Sequence, residues 1–332
     1  MSQKHLEVKK RHHYVWASYL ARWGSGTNNV FYTTKTGKIA QDSVRAIVVE
    51  DYFYKITTLT RWHVEVIDRF SRKSPDDLHQ QHMSLLREFL KVQQAEAMYR
   101  KSGKLNQEAE LHFHALNCSL LENLHAEHEK LARPVLEALA EENLGVLQDD
   151  SHMMNFMAFF GHQISRTKPF RDGVIQVLSR SNALEIQVAL AMEHVWWFLS
   201  YMFGMNLGRN LFLDRRSARH ALLINDTSVP FITSDQPIVN VHPSVSMTDF
   251  TPPEHSDFYY PISPRIAYII CDSARFTAGK NKINEDAVIE FNSKVAARAR
   301  VHIIGNTSEA ITPFQNFIAR SYQKAPDRRV VA

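Results

Sequence analysis

The sequence predicts an α+β protein in which strands at both ends of the chain flank a helical middle. Runs of β-branched and aromatic residues, separated by turn formers, occupy the N-terminal part and return after Asp214. Between them, apolar residues recur three and four positions apart, which is the spacing of amphipathic helices. No linker divides the 332 residues. We therefore expect a single domain (1–332) whose two β portions can share one sheet around the helices.

Four sub-regions are expected within this domain. They are an N-terminal helix and hairpin (1–56), a central bundle of about five helices (57–215), antiparallel strands with one helix (216–310) and a tail (311–332).

The first sub-region begins with an aromatic segment, KRHHYVWASYLARW, that ends at Trp23. Val15, Tyr19 and Trp23 are four residues apart, so on a helix they form one apolar stripe. We expect this stripe to pack on the core together with Trp16 and Leu20.

A β-hairpin is predicted after the aromatic segment. VFYTT (30–34) and VRAIVV (44–49) have the β-branched and aromatic composition of strands. The link between them, KTGKIAQDS, contains Gly37 and other turn formers.

One apolar segment of the helical middle requires a membrane check. IQVALAMEHVWWFLSYMFGMNL (186–207) is about long enough to span a bilayer. Gln187, Glu193 and His194 inside it make a span costly. We therefore interpret it as a central core helix and expect no membrane association. Another helix, PVLEALAEENLG, is expected to begin at Pro134.

Strand signals return in the C-terminal part. ALLIND, PFITS, PIVNV, DFYYPI and RIAYIICD are short apolar runs separated by Pro, Ser and Asp. A helix capped by Asn284 covers EDAVIEFNSKVAARA, and RVHIIGN forms a last strand. The closing QKAPDRRVVA is expected to be loosely held.

Bulk composition limits the functions that are plausible. The chain has 39 basic and 35 acidic residues, and the net charge of +4 permits nucleic acid as a partner without favouring it. Two cysteines and an N-terminus without an apolar secretory stretch predict a reduced, cytoplasmic protein. The phosphate-binding patterns GxxxxGKS/T and GxGxxG are absent, so no nucleotide cofactor is expected.

Four residues in the helical middle have the spacing of metal ligands. Glu122 and His125 are three residues apart, as are His125 and His128, and Glu129 lies four residues after His125. One helix face can therefore present them all. Glu122 and His125 have the Glu-x-x-His spacing of carboxylate di-iron bundles. Such a centre needs a second Glu-x-x-His on a facing helix, and the sequence contains no second copy. We therefore interpret this face as solvated and charged.

Two other stretches place polar side chains where an element ends. In FITSDQP, Asp235 follows apolar strand residues and can serve as a cation ligand or general base. The alternative is a turn in which Ser234 and Asp235 bond nearby amides. In HQISRTKPFR, Gln163, Arg166 and Arg171 can clamp a phosphate or carboxylate. The alternative there is that Arg166 satisfies the last carbonyls of a helix.

Six segments, in order, resemble the motifs of one bacterial family. HHYVWASYLARW is similar to a His-Tyr-Val-Pro-x-x-Tyr-Leu-x-x-Phe opening, and VFYTTKTGKIAQDSVRAIVVEDYFYKI to a strand, Thr-Gly-Lys turn, strand and Glu-x-x-x-Tyr segment. QISRTKP resembles Gln-x-x-Arg-Thr-Pro, FITSDQPIV resembles Phe-x-Thr-Ser-Asp-Asn-Pro-Val, and YYPISP resembles Tyr-Pro-Leu-Ser-Pro. FNSKVAARARVHII matches an Asn followed by a small-residue helix and a strand. Over nearly its whole length the chain therefore resembles the bacterial domain-of-unknown-function family 4238 (DUF4238).

The chain departs from this family pattern at three positions. Trp16 stands where proline is usual, Gln236 replaces asparagine, and Lys168 separates Arg-Thr from Pro169. The resemblance implies an intracellular bacterial domain with no assigned activity. By family analogy, we expect a place among accessory and phage-defence genes, with a partner protein encoded nearby.

The motif-matched polar residues suggest one shared cleft. Glu50 and Asp235 would hold Mg²⁺ or Mn²⁺, His13 would activate water, and Arg166 would steady the phosphate. This arrangement would suit metal-assisted hydrolysis of a phosphodiester, with nucleic acid as the substrate. The expected substrate-binding residues are Tyr14, Gln163, Arg171 and Ser234.

Two other functions compete with this nuclease-like hypothesis. In a binding module without chemistry, the same residues would form a buried polar network that fixes the hairpin to the bundle. A peptide- or nucleotide-modifying enzyme is the third possibility. Glu50 and Asp235 can share a cation only if their carboxylates lie within about 5 Å on an open face. Full hydrogen bonding in the core favours the binding module instead.

Overall fold

A computed structural model describes residues 8–104, 106–178, 182–245 and 254–318. The α-helices are α1 (Ala17–Leu20), α2 (Arg61–Ser71), α3 (Asp76–Lys101), α4 (Gln107–Ala140), α5 (Asp150–Ser165), α6 (Lys168–Leu178), α7 (Ala183–His194), α8 (Trp196–Leu213), α9 (Glu285–Arg298) and α10 (Ser308–Ile311). The strands are β1 (Arg11–His13), β2 (Asn29–Thr33), β3 (Ile39–Ser43), β4 (Val49–Asp51), β5 (Arg219–Ile224), β6 (Thr233–Ser234), β7 (Val239–Asn240), β8 (Asp257–Pro261), β9 (Ile266–Cys271), β10 (Gly279–Lys282) and β11 (Ile303–Gly305).

The fold is α+β, as the sequence predicts, with a larger helical middle than expected. Within the described residues, seven α-helices (α2 to α8) lie between the two strand-rich parts, where about five were predicted. The predicted tail (311–332) begins too early, because Thr312–Phe317 forms a 3₁₀ helix in which Phe314 is buried. Residues 319–332 lie outside the described residues, and the single-domain boundary stays a prediction.

The N-terminal hairpin shares a sheet with strands from the C-terminal part. Strand β2 pairs antiparallel with β3 on one side and with β11 on the other, and β11 pairs with β6. This gives the order β3-β2-β11-β6. The expectation that the two β portions can share a sheet is therefore confirmed for these strands.

The predicted position of the second hairpin strand is wrong. It is IAQDS (39–43), inside the predicted link, and not VRAIVV. Gly37, with φ of +77°, occupies the tight turn, and glycine adopts this conformation without strain. The short turn brings Ile39 opposite Thr33, so the residues directly after it enter the ladder.

A five-stranded sheet forms the centre of the C-terminal part. Its order is β10-β5-β9-β8-β7, and both faces of its central strand β9 are buried. On β9, Tyr268 faces the helical core, whereas its neighbour Ile269 packs in a second core with Phe291 of α9. A strand covered on both faces has no polar side, which explains the unbroken apolar run IAYIIC. Strand β10 was not predicted, because its sequence GKNK carries no apolar signal.

The aromatic N-terminal segment is part of the core, as predicted. Trp16, Tyr19, Leu20 and Trp23 are all buried. The hydroxyl of Tyr19 donates to the carbonyl of Pro261 at 2.8 Å, and so anchors this segment to β8.

Two helix boundaries differ from the sequence-based expectation. Pro134 lies inside α4 and does not begin a new helix, because burial of Ala132, Val135 and Leu136 continues along the same helix across it. The predicted core helix over 186–207 is two helices, α7 and α8, that meet at Val195. Among the described residues, each helix lacks the combination of length and apolar character that a bilayer span requires.

Helices α5 and α8 cross at very short range. A Cβ on Gly161 would lie 2.3 Å from the carbonyl oxygen of Gly204 and 2.6 Å from the backbone nitrogen of Gly208. Only glycine fits at this contact. The next residue, His162, is thereby fixed at the boundary between α5, α8 and α4.

Candidate metal centre

The α4 face that carries Glu122, His125, His128 and Glu129 is buried, so its interpretation as a solvated face is wrong. His125 is only 1% exposed, and the Glu129 side chain is 15% exposed. Helix α5 packs beside α4 and contributes His162, which is also 1% exposed. Polar residues on α4 therefore face polar residues at the C-terminal end of α5 and not water.

Three imidazoles converge between these helices. His125, His128 and His162 each offer a ring nitrogen, and these atoms lie within 4.8 Å of one another. The rings of His128 and His162 are stacked with centroids 4.4 Å apart, and the ring of His125 meets His162 edge-on at 5.3 Å. Nitrogen atoms at this separation can share one cation.

The ring nitrogens of this cluster have almost no hydrogen-bond partners. Within the described part of the chain, both nitrogens of His125, both of His162 and Nδ1 of His128 are buried and unpaired. Native proteins rarely leave buried polar atoms unsatisfied, and atoms without a protein partner commonly bind a water molecule or an ion. The three imidazoles can therefore bind a metal ion.

Burial keeps these imidazoles in the neutral form that binds metals. It lowers the pKa of His125 and of His162 well below the usual value, and it lowers the pKa of His128 to about 4. The positive charge of Arg166 adds to all three effects. Neutral imidazoles keep a free lone pair, so acid competes weakly for the ligand atoms.

The surrounding side chains fix the rings. Tyr54 packs on His125 with ring centroids 4.7 Å apart, and Tyr201 stacks on His162 at 5.5 Å. A Cβ on Gly204 would lie 2.3 Å from Nδ1 of His162. The close crossing of α5 and α8 therefore also makes room for this imidazole.

Two of the predicted site residues, Arg166 and Gln163, belong to this cluster. Arg166 is 2% exposed, and its Nη2 donates to Glu129 Oε1 at 2.6 Å and to Gln163 Oε1 at 2.8 Å. Gln163 Nε2 in turn donates to the carbonyl of Tyr14 at 3.2 Å. A buried ion pair next to the imidazoles is thus linked to the backbone of the N-terminal segment.

His13, a third predicted residue, lies beside Glu122. The His13 backbone contributes to lowering the pKa of the Glu122 carboxyl, so the two groups are neighbours. Within the described residues, Nε2 of His13 and Oε2 of Glu122 are both buried and unpaired. Burial, together with the neighbouring Glu129, raises the pKa of Glu122 to about 7.

Asp235 and Ser234 lie at the end of β6, and both side chains have hydrogen-bond partners in the fold. The Asp235 carboxylate accepts hydrogen bonds from the backbone amides of Arg300, Val301 and His302 at 2.9, 2.8 and 3.1 Å. Ser234 Oγ accepts from the amide of Gln236 at 3.1 Å, as in a serine turn. Both side chains hold the end of β6 in place, and Asp235 is 1% exposed.

Glu50 and Arg171 are also engaged in local ion pairs. Glu50 Oε2 is 2.6 Å from Lys168 Nζ, and the two side chains are 39% and 35% exposed. Arg171 pairs with Asp172 at 3.2 Å. The joint metal role of Glu50 and Asp235 stays a prediction, although hydrogen bonding of Asp235 in the core favours a structural role for that residue.

The chain matches a family of proteins described as "Protein of unknown function (DUF4238)" over residues 11–215 and 215–309. It belongs to the DUF4238 family. No curated protein and no solved structure matches the chain.

The DUF4238 match covers every ligand of the candidate centre, yet the motifs that carried the resemblance do not contain the two α4 histidines. The signal for those residues was the spacing from Glu122 to Glu129 on one helix face. The Glu-x-x-His pattern does not include the third ligand, because Phe159 and not a glutamate stands three residues before His162. Only the packing of α5 on α4 brings it to the other two.

Proposed function

We propose that this DUF4238 protein is a metalloprotein that holds one divalent transition-metal ion between α4 and α5 and uses it for hydrolysis. The observation that carries the proposal is the set of five buried ring nitrogens on His125, His128 and His162 that have no hydrogen-bond partner among the described residues. A purely structural histidine cluster would pair these atoms with one another or with the backbone. A metal ion satisfies one nitrogen of each ring at once.

The donor set favours particular metals. Neutral imidazole suits Zn²⁺, Fe²⁺, Ni²⁺ and Cu²⁺, whereas Mg²⁺ prefers carboxylate, carbonyl and water oxygens. Mg²⁺, which the sequence motifs suggested, therefore fits these three histidines poorly. Mn²⁺ binds most weakly in the usual order of divalent transition-metal affinities. We propose Zn²⁺ or Fe²⁺ as the resident ion.

The chemistry follows from the number of protein ligands. An ion with three protein ligands keeps a further coordination position and supplies an activated water for hydrolysis. Glu122, which is buried beside His13 with one unpaired oxygen, is placed to take up a proton. Arg166 offers positive charge for a phosphate ester. A phosphodiester, and with it nucleic acid, remains our proposed substrate class.

Metal content is the direct test. Protein purified without added metal should contain about one equivalent of a transition metal by mass spectrometry, since three imidazoles form one site. In the variant His162→Gln, we expect metal affinity to fall at least about 100-fold, because even outer-shell changes cost about 10- to 100-fold. The matched control is His220→Gln, whose ring nitrogens already bond Tyr268 and the Arg215 carbonyl. Equal metal content in both variants would refute the assignment.

Hydrolysis is tested on the same proteins. Labelled RNA and DNA would be incubated with Zn²⁺, Mn²⁺ or Mg²⁺ and with chelator. Cleavage that disappears in chelator and in His162→Gln supports a nuclease on this centre. Cleavage that depends on Glu50 and Asp235, and not on His162, would instead support the carboxylate site predicted from the motifs.

A non-catalytic binding module is the second candidate, and a specific observation favours it. Three of the motif residues, Gln163, Ser234 and Asp235, make hydrogen bonds to backbone atoms and so hold the fold together. In that case the metal would be structural, and its removal would lower stability without loss of any activity. The cytoplasmic location, the place among phage-defence genes and the partner protein encoded nearby rest on the family analogy and remain proposals.

A further inference from the structure

We propose that the metal-loaded centre binds one tetrahedral oxyanion, the phosphoryl group of its substrate, between the metal and Arg166, with His13 and Glu122 on its other side. This inference rests on the metalloprotein proposal above and names the substrate class of the same site.

The first support is a second set of unpaired polar atoms next to the imidazoles. Within the described residues, Nε of Arg166, Nε2 of His13 and Oε2 of Glu122 are each buried and without a hydrogen-bond partner. They come from three different elements, the C-terminal end of α5, strand β1 and helix α4. Three unpaired atoms with complementary donor and acceptor chemistry indicate an unfilled polar site.

These atoms are close to one another and to the metal ligands. Nη2 of Arg166 contacts Glu129, the residue after the ligand His128, at 2.6 Å. The charge of Arg166 also contributes to lowering the pKa of His13 and of all three imidazoles, and the His13 backbone contributes to lowering the pKa of Glu122. Arg166 is therefore the common neighbour of both sets of unpaired atoms.

Charge balance gives the second support. Without metal, the buried Arg166 is neutralised by Glu129 at 2.6 Å. A divalent cation adds two positive charges, and Glu122 can offset at most one of them. At least one buried positive charge then remains, and an isolated buried charge is strongly unfavourable. A singly charged phosphodiester removes this excess when Glu122 is ionised, and a doubly charged phosphate removes it when Glu122 is protonated.

The chemistry of Arg166 decides between anions. A guanidinium matches the geometry of phosphate oxygens and stays charged when buried. Nη2 of Arg166 donates to Glu129 and Gln163, and within the described residues Nε is buried without an acceptor. Glu129 and Gln163 thus act as positioning residues that orient the guanidinium.

This arrangement makes metal and phosphate binding cooperative. Each ligand reduces the charge imbalance that the other creates, so each should raise the affinity of the other by the same factor. We expect inorganic phosphate to bind at least about tenfold more tightly to the metal-loaded protein than to the chelator-treated protein.

Calorimetry on the full chain tests the proposal. Zn²⁺ would first be loaded to one equivalent and excess metal removed, and inorganic phosphate would then be titrated into loaded and chelator-treated protein. Acetate and sulfate would each be titrated alone, and the phosphate titration would be repeated in the presence of each. Phosphate binding that requires Zn²⁺, that sulfate weakens and that acetate leaves unchanged supports the proposal. Equal phosphate affinity with and without Zn²⁺, or equal affinity for acetate, overturns it.

Variants identify the binding residue. Arg166→Gln leaves Glu129 unpaired and can unfold the protein, so the double variant Arg166→Gln with Glu129→Gln removes the ion pair without leaving a buried charge. It should still bind Zn²⁺ but bind phosphate at least about tenfold more weakly. The control is Arg215→Gln, which breaks a separate ion pair with Asp150.

The two proposals fail differently in these experiments. A protein that takes up Zn²⁺ but whose phosphate affinity is unchanged in the double variant refutes the oxyanion site and leaves the metal centre standing. A protein that takes up no Zn²⁺ refutes both.

Discussion

Replacing Asp235 by asparagine separates a structural role from a catalytic one. The carboxylate is 1% exposed and accepts three backbone hydrogen bonds from residues 300–302, which connect α9 to β11. β11 is the strand that joins the N-terminal hairpin to the C-terminal part. The Asp235→Asn variant keeps the shape of the side chain but replaces one acceptor oxygen by a donor amide.

The expected loss of stability follows from these three contacts. Hydrogen bonds to charged groups contribute about 1.5–3 kcal/mol each, and an unpaired buried amide costs about 1–3 kcal/mol. The asparagine oxygen retains at least one of the three hydrogen bonds. Its NH₂ group faces a backbone N–H, and two donor groups cannot hydrogen-bond to each other. We therefore expect the free energy of unfolding to fall by about 3–5 kcal/mol, a large share of the typical 5–15 kcal/mol.

Urea denaturation followed by circular dichroism measures this change. The matched control is Glu50→Gln, the other carboxylate predicted to bind metal. Glu50 pairs with Lys168, and the two side chains are 39% and 35% exposed. We therefore expect the free energy of unfolding to fall by at most about 1 kcal/mol. Unchanged stability of Asp235→Asn would contradict the structural role. A folded Asp235→Asn or Glu50→Gln protein that has lost its metal would restore the original metal-ligand prediction.

Three further predictions concern helix packing and pH. Gly161→Ala should lower the free energy of unfolding by about 3 kcal/mol in urea titrations, because its Cβ would lie 2.3 Å from a backbone oxygen. Gly204→Ala should weaken Zn²⁺ binding at least about tenfold in competition titrations, because its Cβ would displace His162. Gly145→Ala, whose Cβ meets only a side-chain oxygen at 3.1 Å, is the control for both. Burial lowers the pKa of His82 to about 4, so the unfolded state binds more protons below pH 6.5 and stability should fall by about 1–2 kcal/mol between pH 7 and pH 5. His82→Gln should remove that part of the pH dependence, and an unchanged profile would contradict it.

The parts of the fold that the sequence predicted are those governed by local chemistry. The Asn284 side chain accepts from the amide of Ala287 at 3.0 Å, as its capping position predicts. The five strand segments after the bundle were found because apolar runs bounded by Pro and Ser are a local signal. The turn at Gly37 was also identified correctly, for the same reason.

The errors arose where tertiary contacts decide the outcome. IAQDS has a weak strand signal, but pairing with β2 makes it a strand. Strand β10 is polar and exists through its parallel pairing with β5. The helix over 186–207 breaks at Val195, although the segment is apolar throughout that region. For β10, a partner distant in the sequence determined the structure, and for IAQDS the partner is the neighbouring strand of the hairpin.

The same reasoning explains why the motifs and the unpaired atoms indicate different metal ligands. Motif residues such as Asp235, Gln163 and Tyr19 bond backbone atoms far away in the sequence, so the fold itself requires them. A residue that catalyses or binds must instead keep an atom free for its ligand. Of the fifteen buried side-chain atoms without a partner in the described chain, eight belong to one group of residues, His13, Glu122, His125, His128, His162 and Arg166. Of the three proposed metal ligands and Arg166, only Arg166 lies in a family motif. Our proposal therefore places the functional centre at these unpaired atoms, whereas the motifs mainly indicate the contacts that hold the fold together.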